Sequence, residues 1–398
     1  MPNPASLRNT PLGPVTRGPR EKAQARRAAP ATAPAPEPMA KEAVTATAAP
    51  SYKFHFGLKP REIARHLSRF VIGQSEAKKV LSVALCDHFQ HVLQTLEGNA
   101  APFYQKQNVL LLGPTGVGKT HLIRSAAELI GVPFVKADAT KYSETGYVGG
   151  DVDDLARDLV RKAAGDIRRA ENGILYLDEV DKLATREPGA GRDVSGRGVQ
   201  TNLLKLMEDA EIPLVSPNDV TGQLQQAVSA MRGGTVQSET IQTRHILLIV
   251  SGAFSGLESI IRRRLAAGLP SASLERWDIN RLLAQVTTSD LIAYGLEPEF
   301  VGRLPVRVAC HGLDEGDLFD VLRKSESSLI HQYERAFDAY GISIEFKDDG
   351  LRRLAHLASD ERTGARGLMT VCERVFREFK FHLPSTSVRK LEIGRAHV

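Results

Sequence analysis

The clearest chemical signature in this sequence is a glycine-rich octapeptide with the pattern G-x-x-x-x-G-K-T. It reads Gly113-Pro114-Thr115-Gly116-Val117-Gly118-Lys119-Thr120. In this pattern the glycines let backbone N–H groups curl around phosphate oxygens, the lysine neutralises the β and γ phosphates, and the threonine hydroxyl binds Mg²⁺. An apolar strand precedes the octapeptide and a helix follows it, so the positive end of the helix dipole faces the phosphates. We therefore expect these eight residues to bind ATP, with Thr120 as a magnesium ligand.

Two carboxylates supply the acidic half of the same chemistry. Asp178 and Glu179 follow the apolar run Ile174–Leu177, and ligands of α/β sheets bind at the carboxyl ends of the strands. We expect Asp178 to hold Mg²⁺ directly or through water, and Glu179 to orient and activate the attacking water. A strand that ends in two acids is common by itself, but 58 residues after Thr120 a joint site is the better interpretation. ATP and Mg²⁺ are the expected cofactors.

Phosphoryl transfer also needs positive charge where negative charge develops. The candidates are Arg303, in the segment Glu299–Arg303, and Arg366, in the segment Thr363–Gly367. Spacing alone does not distinguish either one from an ordinary surface arginine, and without further context that simpler interpretation is preferred.

An aromatic side chain flanked by glycines lies between the two nucleotide motifs. The tetrad Gly146-Tyr147-Val148-Gly149 places its tyrosine 28 residues after Lys119 and 31 before Asp178. A tyrosine has no evident role in ATP chemistry, and the flanking glycines favour a flexible exposed loop over a core position. The hypothesis is a mobile loop that grips a chain while ATP is turned over.

Alternating helices and short strands must position these residues. Helical spacing is found at 60–69, 74–98, 120–130 and 152–169, and short apolar strands at 108–112, 132–136, 173–177 and 246–250. This alternation predicts βαβ units and a parallel sheet, and hence an α/β fold. Residues 216–243, rich in Gln, Thr, Ser and Gly, are expected to form a long loop or hairpin.

The pattern changes after Pro305, where the sequence predicts a smaller, mainly helical domain. Its expected elements are helices at 314–340, 348–358 and 365–382 and a short strand at 342–346. The last six residues, 393–398, equal the translation of a common sequencing-adapter read-through. We expect them to be an artefact that replaces the natural C-terminal sequence, an ordinary short tail being the alternative.

The first 50 residues contain 10 of the 21 prolines and no Phe, Tyr, Trp or Ile, which predicts a disordered tail. This segment also holds seven Lys or Arg against three Glu, out of a net charge of +5. We therefore expect no dedicated nucleic-acid surface on the remainder. Without a secretory signal or a membrane-spanning run, the expected location is the cytoplasm, the mitochondrial matrix being the weaker alternative.

The three cysteines are expected to be separate thiols, each buried or half-buried. Cys86, Cys310 and Cys372 form no CxxC pair, which excludes a zinc knuckle, and we expect no zinc.

Taken together, these segments resemble the ClpX branch of the AAA+ ATPases over about residues 52–392. The resemblance rests on the two nucleotide motifs, the tetrad and several further stretches. These are Phe70–Gln74, Leu177–Lys182, Arg192–Gly196, Gly198–Gln200, Ser251–Phe254, Pro298–Pro305 and Thr363–Leu368. It implies a large AAA+ α/β domain at 51–312, a small C-terminal lid domain at 313–392, and a tail at 1–50.

The resemblance also implies an ATP-driven homohexamer that unfolds proteins. Val71 and Ile72 would flank the adenine, and Arg303 would be an arginine finger that reaches a neighbouring subunit's γ-phosphate. Arg366 would be the sensor arginine on the small domain, and Ser251 a polar sensor. The tetrad around Tyr147 would be the pore loop that grips unfolded or tagged protein substrates.

Four departures from the family pattern limit what the resemblance implies. The family's N-terminal zinc-binding domain has no counterpart in residues 1–50. The stretch Ala267-Gly268-Leu269 stands in place of the Ile-Gly-Phe-type tripeptide that docks the peptidase, so a ClpP-like partner is doubtful. Residues 216–243 lack the family's basic cluster, and Arg197 stands where the family usually has Glu.

Three other function classes remain as alternatives. An HslU-like, peptidase-coupled particle would need a large inserted domain, and only residues 183–245 are available for one. A DNA-acting AAA+ motor would use the basic tail at 1–50 as its nucleic-acid contact. A non-enzymatic scaffold would not need the intact set of Lys119, Asp178 and Glu179.

Overall fold

The computed structural model describes residues 54–99, 104–143, 150–184, 194–215, 239–267 and 276–398. Four of the sequence predictions lie wholly or mostly outside these ranges: the tail at 1–50, the tetrad at 146–149, residues 216–238 of the long loop, and Gly268 and Leu269. None of the helices in the described ranges is long and apolar enough to cross a membrane.

A five-stranded parallel sheet forms the centre of the larger domain, in the order β2-β3-β6-β1-β7. The strands of the described chain are β1 Val109–Leu112, β2 Phe134–Asp138, β3 Ile174–Asp178, β4 Glu211–Pro213, β5 Thr240–Gln242, β6 Leu247–Gly252, β7 Val306–Ala309, β8 Ser343–Phe346 and β9 Lys390–Ile393. The predicted parallel sheet is confirmed, and it places the carboxyl ends of β3, β6 and β1 side by side.

Helices cover both faces of this sheet and make up most of the smaller domain. They are α1 Pro60–Phe70, α2 Ser75–Leu96, α3 Lys119–Ile130, α4 Asp154–Lys162, α5 Ile167–Ala170, α6 Val194–Met207, α7 Leu257–Ala266, α8 Ile279–Leu283, α9 Thr288–Tyr294, α10 Pro298–Gly302, α11 Glu315–Lys324, α12 Leu329–Asp338, α13 Asp348–Asp360 and α14 Ala365–His382.

Two hydrophobic cores lie on opposite faces of the sheet because successive strand side chains point in opposite directions. Leu110 and Leu112 pack on one face with apolar residues of α4, α6 and α7. Val109 and Leu111 pack on the other face with those of α1, α2 and α3. Burial on both faces explains why the strands are continuous apolar runs rather than alternating ones.

The smaller domain has its own core, built from α11 to α14 and from β8, which pairs in parallel with β9. The last pair of that ladder joins Phe346 to Ile393, and Ile393 is fully buried. The interpretation of residues 393–398 as an artefact stays a prediction.

Two helices that the spacing predicted as continuous are divided in the structure. Residues 152–169 form α4 and α5, because Ala164 and Gly165 have φ values of 56° and 88°, which end the right-handed helix. Asp166 then caps α5 by accepting a hydrogen bond from the Arg169 N–H. Residues 314–340 likewise divide into α11 and α12, and the Ser328 hydroxyl accepts the Ile330 N–H at the start of α12.

A short antiparallel ladder joins the residues before the predicted long loop to residues near its end. Strand β4 pairs with β5 in an antiparallel ladder in which Ile212 lies opposite Ile241, and both residues are buried. Strand β5 lies within the segment 216–243 that was predicted as a long loop or hairpin, and residues 216–238 of that segment lie outside the described residues, so the prediction stays a prediction.

Candidate active site

A cleft of about 830 Å3 lies where the carboxyl edge of the sheet meets the smaller domain. The larger domain contributes Val71, Ile72, the octapeptide residues Thr115 to Thr120, Asp178 and Glu179 to its walls. The smaller domain contributes apolar residues such as Leu313 and Leu329 together with Arg366. Residues predicted from separate parts of the sequence therefore line one space.

Glycine is required in the octapeptide where the loop folds tightly against other backbone. Gly113 has a φ of 139°, and a Cβ there would lie 2.3 Å from the Cys310 carbonyl oxygen. Gly116 has a φ of 75°, and a Cβ there would lie 2.2 Å from the Thr363 carbonyl oxygen. No side chain fits at either position, so both glycines are needed for the loop to take this shape.

Lys119 is buried beneath the loop, at the first residue of α3. Its ammonium donates hydrogen bonds to the carbonyl oxygens of Gly113 at 2.6 Å and Pro114 at 2.9 Å. Burial lowers the pKa of Lys119 from its usual value, and nearby negative groups including Asp178 act in the opposite direction. The ammonium is thus held at the loop, where triphosphate oxygens would approach it together with the N-terminus of α3.

Hard oxygen ligands meet between α3 and β3. The hydroxyl Oγ1 of Thr120 lies 3.5 Å from Oδ2 of Asp178. The other carboxylate oxygen, Oδ1, accepts a 2.5 Å hydrogen bond from the hydroxyl of Ser251, which also pairs with the Tyr176 hydroxyl at 2.7 Å. A hydroxyl and an oriented carboxylate suit Mg²⁺, which completes its shell with waters and phosphate oxygens.

No group of three or more His, Cys, Asp or Glu side chains in the described ranges could hold a metal ion by itself. A magnesium ion at Thr120 and Asp178 would therefore depend on the nucleotide for further ligands. All three cysteines are free and buried at separate places, as expected from their spacing.

Glu179 follows β3 in a left-handed conformation, with a φ of 61°. That conformation is uncommon for a residue with a side chain and is often found at functional sites. Glu179 is solvent-exposed and lines the cleft. An exposed carboxylate at the wall of the cleft can accept hydrogen bonds from water.

The apolar end of the cleft is held in place by a buried glutamine that the sequence analysis did not single out as functional. Gln74 donates from Nε2 to the His311 carbonyl at 2.7 Å and accepts the His311 N–H at 2.8 Å. This pair of bonds ties the segment with Val71 and Ile72 to the chain that enters the smaller domain. Gln74 and His311 are 237 positions apart in the sequence, so no local pattern could predict their contact. Gln74 also has a left-handed backbone conformation, with a φ of 53°.

The smaller domain touches the phosphate loop through its backbone. The Ala365 N–H, at the start of α14, donates a 2.9 Å hydrogen bond to the Gly116 carbonyl oxygen. Arg366 is the next residue and lines the cleft. A bound triphosphate would thus lie against residues of both domains.

Arg303 lies outside the residues that line this cleft. Its guanidinium forms an ion pair with Glu208, 2.6 Å between Nη2 and Oε1, and remains 45% exposed. Arg197, which reverses the family's usual charge, pairs with Glu297 of the same chain at 3.2 Å. The altered charge therefore has a partner within the subunit.

The tetrad itself is not described, but its flanking residues are joined. The Gly150 N–H donates to the Lys141 carbonyl at 3.0 Å, and the Ser143 N–H donates to the Gly150 carbonyl at 3.3 Å. Ser143 and Gly150, the described residues on either side of the undescribed stretch 144–149, are therefore held next to each other.

Comparison with known proteins finds a matching family model and several similar proteins named ClpX. A family model described as AAA domain (Cdc48 subfamily) matches residues 104–307. The chain is 39% identical over 349 residues to the ATP-dependent Clp protease ATP-binding subunit ClpX of Borrelia duttonii, covering 85% of this chain and 78% of that protein. It is 38% identical to ClpX 3 of Methylococcus capsulatus, covering 83% and 77%. It is 37% identical to ClpX of Treponema denticola, covering 83% and 79%.

Proposed function

This chain belongs to the ClpX family of AAA+ ATPases, and on that premise we propose that it hydrolyses ATP to unfold proteins. The observation that carries the proposal is the meeting of three chain segments in one cleft: the phosphate loop after β1, Asp178 and Glu179 after β3, and the start of α14. Because the last of these belongs to the smaller domain, a change of nucleotide would change the angle between the domains.

Each polar group of the cleft has one part in the proposed hydrolysis. Lys119 and the N-terminus of α3 hold the triphosphate, and Arg366 contacts it from the smaller domain. Thr120 and Asp178 would hold Mg²⁺, which neutralises charge on the phosphates. Glu179 orients the attacking water and accepts its proton. Ser251 fixes the Asp178 carboxylate through the 2.5 Å hydrogen bond.

The site is completed by a second subunit in our proposal. Arg303 lies outside its own cleft and is half-exposed, as a residue that reaches a neighbouring subunit's nucleotide must be. Hydrolysis then depends on assembly of a homohexamer, because no subunit supplies Arg303 to its own γ-phosphate. An arginine supplied in this way contributes about 10³–10⁵ to phosphoryl-transfer rates in other nucleotide hydrolases.

The substrates we propose are unfolded or tagged polypeptides. Tyr147 and its flanking glycines would contact them by packing rather than by specific hydrogen bonds, so the grip would tolerate many sequences. The names of the relatives describe subunits of a Clp protease. This chain has Ala267-Gly268-Leu269 where the family's docking tripeptide is expected, and we propose that a ClpP-like peptidase docks weakly or not at all.

The test is ATP hydrolysis by the purified protein and its Glu179→Gln variant. We expect Mg²⁺-dependent hydrolysis that falls by at least about 10²-fold in the variant, because general-base groups contribute that much or more. Nucleotide binding should remain in Glu179→Gln and be lost in Lys119→Ala. Hydrolysis at the wild-type rate in Glu179→Gln would contradict the assignment. The same variant in ATP should also trap substrates, and any docked peptidase, for identification.

A further inference from the structure

A buried asparagine connects Arg303 to the end of helix α6. Asn108 directly precedes β1, at the amino ends of the strands, while the nucleotide cleft lies at their carboxyl ends. Its side chain is buried, with only 1% of the residue exposed. Its amide nitrogen Nδ2 donates to two main-chain carbonyls, those of Arg303 at 3.1 Å and Met207 at 3.3 Å. Met207 is the last residue of α6, so one side chain holds both segments.

The end of α6 is fixed by further buried polar groups. The Lys106 ammonium donates to the carbonyls of Leu206 at 2.7 Å and Thr243 at 2.8 Å. The Thr243 hydroxyl donates to the Glu208 carbonyl at 2.8 Å. Burial lowers the pKa of Lys106 to about 7, with Asp209 and Glu208 acting in the opposite direction. The last carbonyls of a helix lack partners within it, and here side chains from other segments supply them.

The same helix end also holds the side chain of Arg303. Glu208, the residue after α6, pairs with its guanidinium, while Asn108 holds its carbonyl oxygen. The Arg303 N–H in turn donates to the Phe300 carbonyl at 3.2 Å. The backbone and the guanidinium of Arg303 are therefore both held by the same group of residues, which consists of Lys106, Asn108 and the end of α6.

We propose that Asn108 is a positioning residue for Arg303, which acts on the nucleotide of the neighbouring subunit. The inference rests on the proposed function, in which Arg303 completes that neighbour's site. A side chain that must contact a phosphate across a subunit boundary needs a backbone in a fixed position. A displacement of about 1 Å can cost about 10²-fold in rate. Asn108 keeps the Arg303 backbone in that position, since its two hydrogen bonds join Arg303 to the end of α6.

Mixed rings test this inference, because they separate the subunit that donates the arginine from the one that hydrolyses ATP. Arg303→Ala subunits keep a complete cleft but donate no arginine, and Glu179→Gln subunits donate the arginine but do not hydrolyse. Each is inactive alone in this account. At equal amounts and random mixing, about one quarter of the wild-type ATPase rate should return, from Arg303→Ala clefts beside Glu179→Gln neighbours.

Asn108→Leu is then added to one partner at a time. In the Glu179→Gln subunit it should lower the regained rate at least about tenfold, because the donated arginine is misplaced. In the Arg303→Ala subunit it should leave the regained rate unchanged, which also checks that Asn108→Leu subunits fold and assemble. ATP binding by each subunit serves as the second check.

Three results would overturn the inference. If both Asn108→Leu mixtures regain activity, Asn108 does not position Arg303. If neither does, Asn108 has a general structural role instead. If the parent mixture of Arg303→Ala and Glu179→Gln regains nothing, the arrangement between subunits is wrong, and the proposed function fails at that point together with the inference.

Discussion

Asp178 is tied to the neighbouring strand by one short hydrogen bond, from the hydroxyl of Ser251. Replacing Ser251 with Ala should let the carboxylate turn away from Thr120, because hydrogen bonds to charged groups contribute about 1.5–3 kcal/mol. At a cost of that size, we expect a rise of roughly 10- to 100-fold in the Mg²⁺ concentration that gives half-maximal ATPase activity. Ser68→Ala, on the exposed face of α1, is the control. Equal Mg²⁺ dependence in both variants would show that Ser251 does not orient Asp178.

Two buried histidines predict how stability depends on pH. Burial is the main cause that lowers the pKa of His88 to about 3 and that of His245 to about 4, and the positive charge of Lys106 acts in the same direction. Between the usual value of 6.5 and about 4, the unfolded chain therefore binds protons that the folded chain does not. The free energy of unfolding should fall with acidification in this window, by about 1.4 kcal/mol per pH unit for each histidine.

The slope of stability against pH is the measurement that checks this. The free energy of unfolding, measured in urea between pH 7 and 4.5, should depend less steeply on pH in His88→Leu than in the wild type. The difference in slope should be the contribution of one histidine, about 1.4 kcal/mol per pH unit. The slope is informative even though the variant also loses the bond from His88 to the His245 carbonyl. His55→Gln, at an exposed histidine, should keep the wild-type slope. An unchanged slope in His88→Leu would contradict the argument.

At the scale of elements, the start of α14 is the contact through which the lid domain reaches the phosphate loop. Gly364 precedes α14 with a φ of 62°, and a Cβ there would lie 2.9 Å from the Gly116 carbonyl oxygen. Gly364→Ala should therefore push α14 away from the loop, at a cost of about 1–3 kcal/mol in backbone strain. We expect weaker ATP binding, about fivefold or more, measured by titration with a fluorescent nucleotide.

Gly341→Ala is the matched control for this change. Gly341 lies in the same domain with a φ of 69°, but a Cβ there would meet nothing within 4 Å. Both variants carry the conformational cost, and only Gly364→Ala disturbs the loop. Equal ATP affinities in the two variants would mean that the contact between α14 and the loop does not transmit to the nucleotide.

The sequence predicted those elements whose signals are local. The apolar strands around the two nucleotide motifs and the helix at 365–382 were correct, because each is set by its own composition and periodicity. The division of 152–169 was missed, because a left-handed Ala164 leaves no compositional trace. The short strand β7 was also missed, since its four residues gain their order from pairing with β1, almost 200 positions earlier.

The same distinction applies to the site. The motifs singled out Lys119, Asp178 and Glu179, because phosphate and metal chemistry restrict their spacing along the chain, and the three residues line one cleft. Arg303 could not be told from a surface arginine by spacing. What sets it apart is its contact with Asn108 and Glu208, residues that are close to it only in the folded chain.

At the scale of the whole molecule, the nucleotide cleft and Arg303 lie at opposite ends of the strands of one sheet. The nucleotide cleft lies at the carboxyl ends of the strands, and Asn108 holds Arg303 at the other edge. In our proposal each subunit binds ATP at the carboxyl ends of its strands and offers Arg303 to a neighbour from the opposite ends. In the proposed arrangement a cleft needs Arg303 of a second subunit, so an isolated subunit should hydrolyse ATP inefficiently.

We propose above all that ATP hydrolysis in this ring drives protein unfolding through Tyr147. The most direct measurement follows the fluorescence of a stably folded fluorescent protein that carries a segment captured by the Glu179→Gln variant. With the wild-type protein, we predict that fluorescence is lost in hydrolysable ATP and kept in a non-hydrolysable analogue. Tyr147→Ala should hydrolyse ATP at a similar rate and leave the fluorescence intact. Equal loss of fluorescence with Tyr147→Ala, or loss without hydrolysis, would contradict the account.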